Sequence, residues 1–216
     1  MPELTILIAD DHPLFRGALK QAVGTIGCHC QIIEAGTFED AKTVVSFNPD
    51  ADVLLLDLAM PGVSGFSGLM SMRATHPNLP IIVVSATDDP TTVRRSIELG
   101  ASGFISKSSG IDDIRTAVRA VLRGEIWTSS ASSLEPENDQ DVADLINRLK
   151  SLTPQQSRVL AMLAEGLLNK QIAYELNVSE ATIKAHVSAI LLKMKVDSRT
   201  QAVIQLAKIN VPSLVA

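Results

Sequence analysis

Aromatic residues make up only 3% of this 216-residue chain, with one Trp and one Tyr. A pocket that grips a sizeable apolar ligand needs more rings than that, which argues against a small-molecule receptor. Cysteine is equally scarce: Cys28 and Cys30 flank His29 in GCHCQII, and no second cluster supplies the remaining ligands of a tetrahedral zinc site. The pair therefore reads as reduced thiols at the start of a strand. Long apolar runs are missing as well. The longest are strand-sized, as at Ile81–Val84, and MPELTILIADD has no basic flank followed by a long apolar segment. A soluble cytoplasmic protein is expected, with neither signal peptide nor membrane span.

What is present is a hydrophobic content of 46%, enough to fill the cores of one large or two small domains. The net charge of −5 conceals a division. Residues 1–146 carry 10 Lys and Arg against 20 Asp and Glu, whereas residues 147–216 carry 9 against 4, net +5. A basic tail on an acidic body suggests a polyanion-binding module joined to something else. Between them, residues 126–146 contain no Lys or Arg and are rich in Ser, Asp and Glu, the composition of a linker. The expected division is a domain at 1–124, a linker at 125–146 and a second domain at 147–216, with a short helix over Val142–Leu152 leading into the tail.

Strand-like apolar runs fall at residues 4–10, 30–35, 52–58, 80–86 and 103–106, with helix-period segments between them. Five strands alternating with helices predict a parallel, doubly wound, flavodoxin-like α/β sheet covered on both faces. In the last helix of this set, Ile111, Ile114, Val118, Val121 and Leu122 share one side. The tail reads as four short helices, an all-α domain. Thr153, Pro154 and Gln156 make a capping box, Gly166 ends that helix, Ser179 caps a later one, and Ser198 with Gln201 opens the last.

Ligands of an open parallel sheet sit at the carboxyl ends of its strands. Asp10 and Asp11 end the first strand, Asp57 the third and Ser85 the fourth, while Lys107 follows the fifth. Converging carboxylates repel unless a cation sits among them, and a hard ion with oxygen ligands such as Mg²⁺ answers that need. With Lys107 and Mg²⁺ neutralising an incoming phosphoryl group, one carboxylate can act as nucleophile and form an acyl phosphate, with Ser85 as a hydrogen-bond donor.

Residues 1–124 resemble a response-regulator receiver domain. The resemblance rests on Asp10-Asp11, on Asp57-Leu58-Ala59-Met60-Pro61-Gly62, on Ser85-Ala86 and on Gly103-Phe104-Ile105-Ser106-Lys107. ADDHPLFRGAL is typical of the NarL/FixJ subfamily, and the tail resembles the LuxR-type helix-turn-helix. The resemblance implies a two-component regulator whose Asp57 is phosphorylated by a sensor histidine kinase. It implies Mg²⁺ held by Asp11, Asp57, the Ala59 carbonyl and, through water, Asp10. It also implies a switch at Ser85 and Phe104, a homodimer on activation, and contact with promoter DNA and RNA polymerase. Phe104 stands where tyrosine is common and lacks the phenolic hydroxyl. His12, followed by Pro13, reads as the start of a helix and not as a catalytic group.

In NKQIAYELNVSEATIKAHVSAILLKM, Ala173 is small where two helices cross and Asn177 tolerates a left-handed turn. Ile183, Val187, Ile190, Leu191 and Met194 form the buried stripe of the second helix. Lys184, Ala185 and Ser188 are left outside as candidates for reading base edges. Lys170, Lys193, Lys195 and Arg199 are candidates for phosphate contacts. Two positions depart from the family: Gln155-Gln156 replaces a common Arg-Glu, and Leu168 replaces a usual Ser or Thr. The rival readings fit less well. An aspartate-nucleophile phosphatase would want an acidic residue at position 59 and a cap domain in place of the basic tail. An autoinducer-binding regulator would need an aromatic pocket.

Overall fold

The computed structural model describes residues 4–26, 29–63, 65–128 and 140–210; Cys28, half of the thiol pair considered above, lies outside them. Five strands, β1 (Leu4–Ala9), β2 (Cys30–Ala35), β3 (Val53–Asp57), β4 (Ile81–Ser85) and β5 (Gly103–Ser106), form one parallel sheet in the order β2-β1-β3-β4-β5. Every residue of β3 and β4 is buried, which is why VLLLD and IIVVS read as continuous apolar runs. Side chains still alternate between two layers. Leu54 and Leu56 join α2 (Phe38–Phe47) and α3 (Ser67–Thr75) on one face; Val53 and Leu55 join α1 (Pro13–Val23) and α5 (Ile111–Leu122) on the other. The helix α4 (Pro90–Glu98) is started by Asp89, whose carboxylate accepts the Thr92 N–H at 3.0 Å.

The tail contains α6 (Gln140–Lys150), α7 (Pro154–Ala164), α8 (Asn169–Glu175), α9 (Glu180–Met194) and α10 (Arg199–Asn210). The Thr153–Gln156 capping box is formed as expected. Asn177 and Lys195 take left-handed φ values of 51° and 56°, the first in the turn between α8 and α9 and the second closing α9. Ile183, Ile190 and Met194 are fully buried, with Val187 and Leu191 packed against the same core.

Two features extend the sequence reading. The segment expected to be a linker contains the first turns of α6, whose Leu145 and Ile146 are buried in the tail's core. At its other end Trp127 pairs with β5: its carbonyl accepts the Phe104 N–H at 2.9 Å and its N–H donates to the Ser102 carbonyl at 3.1 Å. The two domains touch through α3 and α7. Beside that contact lies a polar cleft of about 400 Å³, lined by Lys42, His76, Arg158 and Glu165 among others. Burial raises the Glu165 pKa there, Lys42 opposes the rise, and Glu39 and Glu175 add to it. Among the described residues no helix is long and apolar enough to cross a membrane.

Candidate functional site: an acidic pocket and an exposed reading helix

The sheet order puts β1, β3, β4 and β5 side by side, so their carboxyl ends meet at one edge. Asp57 is the last residue of β3 and Asp10 follows β1; both are fully buried. Lys107, one residue beyond β5, reaches across and places Nζ 2.8 Å from Asp57 Oδ2 and 2.8 Å from Asp10 Oδ2. Burial alone would lower the Lys107 pKa, but its bonds to Asp10 and Asp57 outweigh that and raise it. The ammonium also lies over the Phe15 ring, 5.1 Å from its centre.

Backbone groups orient the carboxylates. The Ala59 N–H donates to Asp57 Oδ1 at 2.9 Å, and the His12 N–H donates to Asp10 Oδ1 at 2.7 Å. Asp11, partly exposed, faces the same pocket and is met by His12 Nδ1 at 2.6 Å. Among the described residues, Asp10 Oδ2 and Asp11 Oδ1 are buried without a well-aligned hydrogen-bond donor, although Lys107 and His12 lie close to them. Ligand atoms of Asp10, Asp11, His12 and Asp57 all fall within 4.8 Å of one another. Crowded oxygens with spare lone pairs suit a hard divalent cation.

Ser85 ends β4, and its Oγ accepts the Thr87 N–H at 3.1 Å, so the hydroxyl belongs to its own loop. Phe104 on β5 is completely buried. Arg16 was not singled out from sequence. Its Nη1 donates to the Asp10 carbonyl at 2.7 Å and its Nε to Glu34 at 3.3 Å, bracing the loop that carries the acidic pair. An arginine in the first turns of the helix after Asp10-Asp11 was the available signal.

In the tail, α9 leaves Lys184, Ala185 and Ser188 exposed. Lys184 pairs with Glu180 at 3.0 Å one turn earlier, a solvated contact that a stronger partner can displace. Lys170 and Lys195 are also exposed. Lys193 and Arg199 also bond within the domain. Lys193 Nζ donates to the Ser151 carbonyl at 2.7 Å and to Gln156 Oε1 at 2.8 Å; Arg199 Nη2 donates to the Leu167 carbonyl at 2.6 Å. Gln156 thus holds the Lys193 ammonium by an ion–dipole bond. At Leu168 only half a capping box survives, since the Gln171 side chain accepts the Leu168 N–H at 2.7 Å but a leucine side chain can accept nothing back.

Comparison with known proteins agrees with this two-part geometry. Residues 6–119 match the response regulator receiver domain and residues 150–207 match the bacterial regulatory proteins of the luxR family. The chain is 37% identical over 211 residues to the glycerol metabolism activator of Pseudomonas putida, covering 95% of this chain and 96% of that one. It is 32% identical over 202 residues to the nitrate/nitrite response regulator NarL of Escherichia coli K12, covering 93% of each. It is similar in structure to RcsB from Salmonella enterica serovar Typhimurium, solved on a promoter in the presence of the phosphomimetic BeF₃⁻. That match has a TM-score of 0.51 at 25% identity and covers 95% of this chain and 98% of that one. With an acidic pocket at the receiver's sheet edge and an open helix in a LuxR-type tail, the chain belongs to the two-component response regulators that regulate transcription through DNA binding.

Proposed function

We propose that Asp57 is the phosphoacceptor of this regulator and that a sensor histidine kinase supplies the phosphoryl group. The carrying observation is Lys107 bridging Asp57 and Asp10 in a buried pocket. A carboxylate oxygen of Asp57 attacks phosphorus in line, the P–N bond of the donor phosphohistidine breaks, and an acyl phosphate forms. Lys107 turns from two carboxylates toward the new phosphoryl oxygens. Asp11, Asp57 and the Ala59 carbonyl would hold Mg²⁺, with Asp10 reaching it through water; when bound it offsets phosphoryl charge. Ser85 moves its hydroxyl to donate to a phosphoryl oxygen, and Phe104 is the aromatic partner of that switch, its ring taking the inward position it already holds here. The acyl phosphate carries about −1.5 to −2 where the carboxylate carried −1, so the net gain is at most about one negative charge, but it is moved outward onto three acceptor oxygens that Lys107 and Ser85 can follow.

The output is control of DNA binding. Lys184, Ala185 and Ser188 face base edges in the major groove, while Lys170 and Lys195 contact phosphates. Exposed Leu192 and Ile204 on α9 and α10 suit a homodimer that aligns two reading helices on promoter DNA, where RNA polymerase is a further contact. The protein acts in the cytoplasm as a regulator and not as an enzyme, with the receiver at 1–124 and the DNA-binding domain in the tail. Asp57→Asn tests the core of this reading. Incubated with acetyl phosphate and Mg²⁺, the full chain should gain one phosphoryl mass and the variant none. Labelling of Asp57→Asn at wild-type stoichiometry would falsify the assignment.

A further inference from the structure

The cation pocket contains one donor that Mg²⁺ does not require. His12 shares the 4.8 Å group with Asp10, Asp11 and Asp57. Its Nδ1 stands 2.6 Å from Asp11 Oδ1 and 3.6 Å from Asp10 Oδ1. The main chain at His12 is fixed. Its N–H is tied to Asp10, its carbonyl accepts the Arg16 N–H at 2.9 Å, and Pro13 opens α1 directly after it. The imidazole itself is 64% exposed and has room to swing toward an ion between Asp11 and Asp57. Bonds of roughly 2.0–2.2 Å from a d-block ion to nitrogen and oxygen put opposite ligands a little over ~4 Å apart. Asp11, His12 and Asp57 need only a small inward movement to share one ion, with Asp10 close enough to reach it through water.

We propose that His12 is a nitrogen ligand of this pocket, which tilts its selectivity from Mg²⁺ toward the later first-row transition-metal dications. The inference rests on the pocket being the cation site. Mg²⁺ keeps water in a position where nitrogen is offered, because it prefers oxygen and dehydrates reluctantly. A later first-row ion such as Co²⁺ takes imidazole readily and binds a given mixed N/O set more tightly. His12 therefore acts on metal selectivity while leaving the carboxylates' hold on Mg²⁺ intact.

The test titrates the tag-free full chain with Co²⁺ and with Mg²⁺ at one fixed pH, as wild type, His12→Asn and Asp11→Asn. Calorimetry should give a Co²⁺ affinity about 10- to 100-fold weaker in His12→Asn, with Mg²⁺ changed less than about twofold. In the Co²⁺ form, a paramagnetically shifted imidazole N–H resonance should be present in wild type and absent from His12→Asn. Equal losses of Co²⁺ and Mg²⁺ in that variant, or an unchanged Co²⁺ affinity, would overturn the ligand role. So would Co²⁺ bound only with sulfur charge-transfer absorption, the sign of capture at Cys28 or Cys30. Unchanged Mg²⁺ binding by Asp11→Asn would instead remove the pocket as the cation site, a separate failure that takes the inference with it.

Discussion

In the receiver, Asp10 and Asp57 are 0% and 1% exposed around a lysine that touches both; in the tail, Lys184 points into solvent with its side chain 65% exposed. The contrast follows from what each charge must do. A nucleophilic carboxylate gains from a dry, preorganised pocket in which neighbouring charges act strongly. A charge that finds a polyanion must stay where the polyanion can reach it, and there it adds little to the fold. Substitutions should sort accordingly: receiver charges should affect stability and phosphorylation together, and reading-helix charges should affect DNA alone.

The largest effect expected from breaking the comparison is at Lys107. Lys107→Met leaves Asp10 and Asp57 buried without their cation and should cost about 3–5 kcal/mol, read as a lower urea midpoint for the receiver's unfolding. Mg²⁺ should restore much of it. The pH dependence has a definite sign. The folded Lys107 pKa is raised, so its contribution is complete below the unfolded lysine value of about 10.4 and is lost as pH climbs through the folded value. Above neutral pH, wild type should lose stability relative to Lys107→Met only in that alkaline range. A difference between them that shrinks between pH 6 and 9 would contradict the ion pair as its source.

The tail offers a second break, at its own boundary. A fragment beginning at residue 147 discards Leu145 and Ile146, which are 2% exposed in the core that also holds Ile183 and Ile190. It should be less stable than residues 140–216 by about 2–5 kcal/mol, the usual cost of lost core aliphatics. Comparable thermal midpoints for the two fragments would make α6 an accessory. The longer fragment also adds Asp141 and Asp144 to the tail, giving nine basic against six acidic residues, net +3. Its DNA affinity should still fall steeply with salt, since each neutralised phosphate contributes a slope of about −0.9.

Within the DNA-binding surface the comparison can be sharpened by pairing two lysines. Lys184→Ala should cost roughly 1–3 kcal/mol on the proper site and little on random duplex, with stability unchanged within about 0.5 kcal/mol. Lys193→Ala should do the opposite. Its ammonium is already bonded to Ser151 and Gln156, so its loss should lower stability by about 1.5–3 kcal/mol and leave the salt slope nearly as it was. A drop of about one unit in the slope for Lys193→Ala would return that residue to the phosphate contacts.

What was legible in the sequence carried its signal locally. The five strands are short apolar runs bounded by polar turns, the Thr153 and Ser179 caps sit at fixed offsets from their helices, and strand order then gathers Asp57, Ser85 and Lys107 at one edge. What was not legible depends on partners far along the chain. Nothing near Lys193 foretells the Ser151 carbonyl 42 residues away, nor does anything near Arg199 foretell Leu167. Trp127 reads as linker until β5 is seen to lack a neighbour on that side, and α6 reads as partly linker because its apolar residues find their core against α9 and α10. His12 is the exception: its partner Asp11 is its sequence neighbour, and what the helix-start reading does not supply is the direction in which the ring turns.

The smallest expected effect lies at the start of α8. Leu168 is the N-cap of α8, with extended φ and ψ of −74° and 155°, a cap conformation without a cap side chain. Gln171 already closes one side of the box, so a hydroxyl at position 168 would meet a prepared partner and accept a backbone N–H from the first turn. It would also remove an apolar side chain that is 63% exposed. Leu168→Thr should therefore raise stability by about 0.5–1 kcal/mol, seen as a higher thermal midpoint of the tail's transition with the receiver's unchanged. Leu168→Val, similar in shape but without the hydroxyl, should give no such gain. If both variants behave alike, the cap is not the cause. If both lose stability, Leu168 packs against the domain more than its exposure indicates.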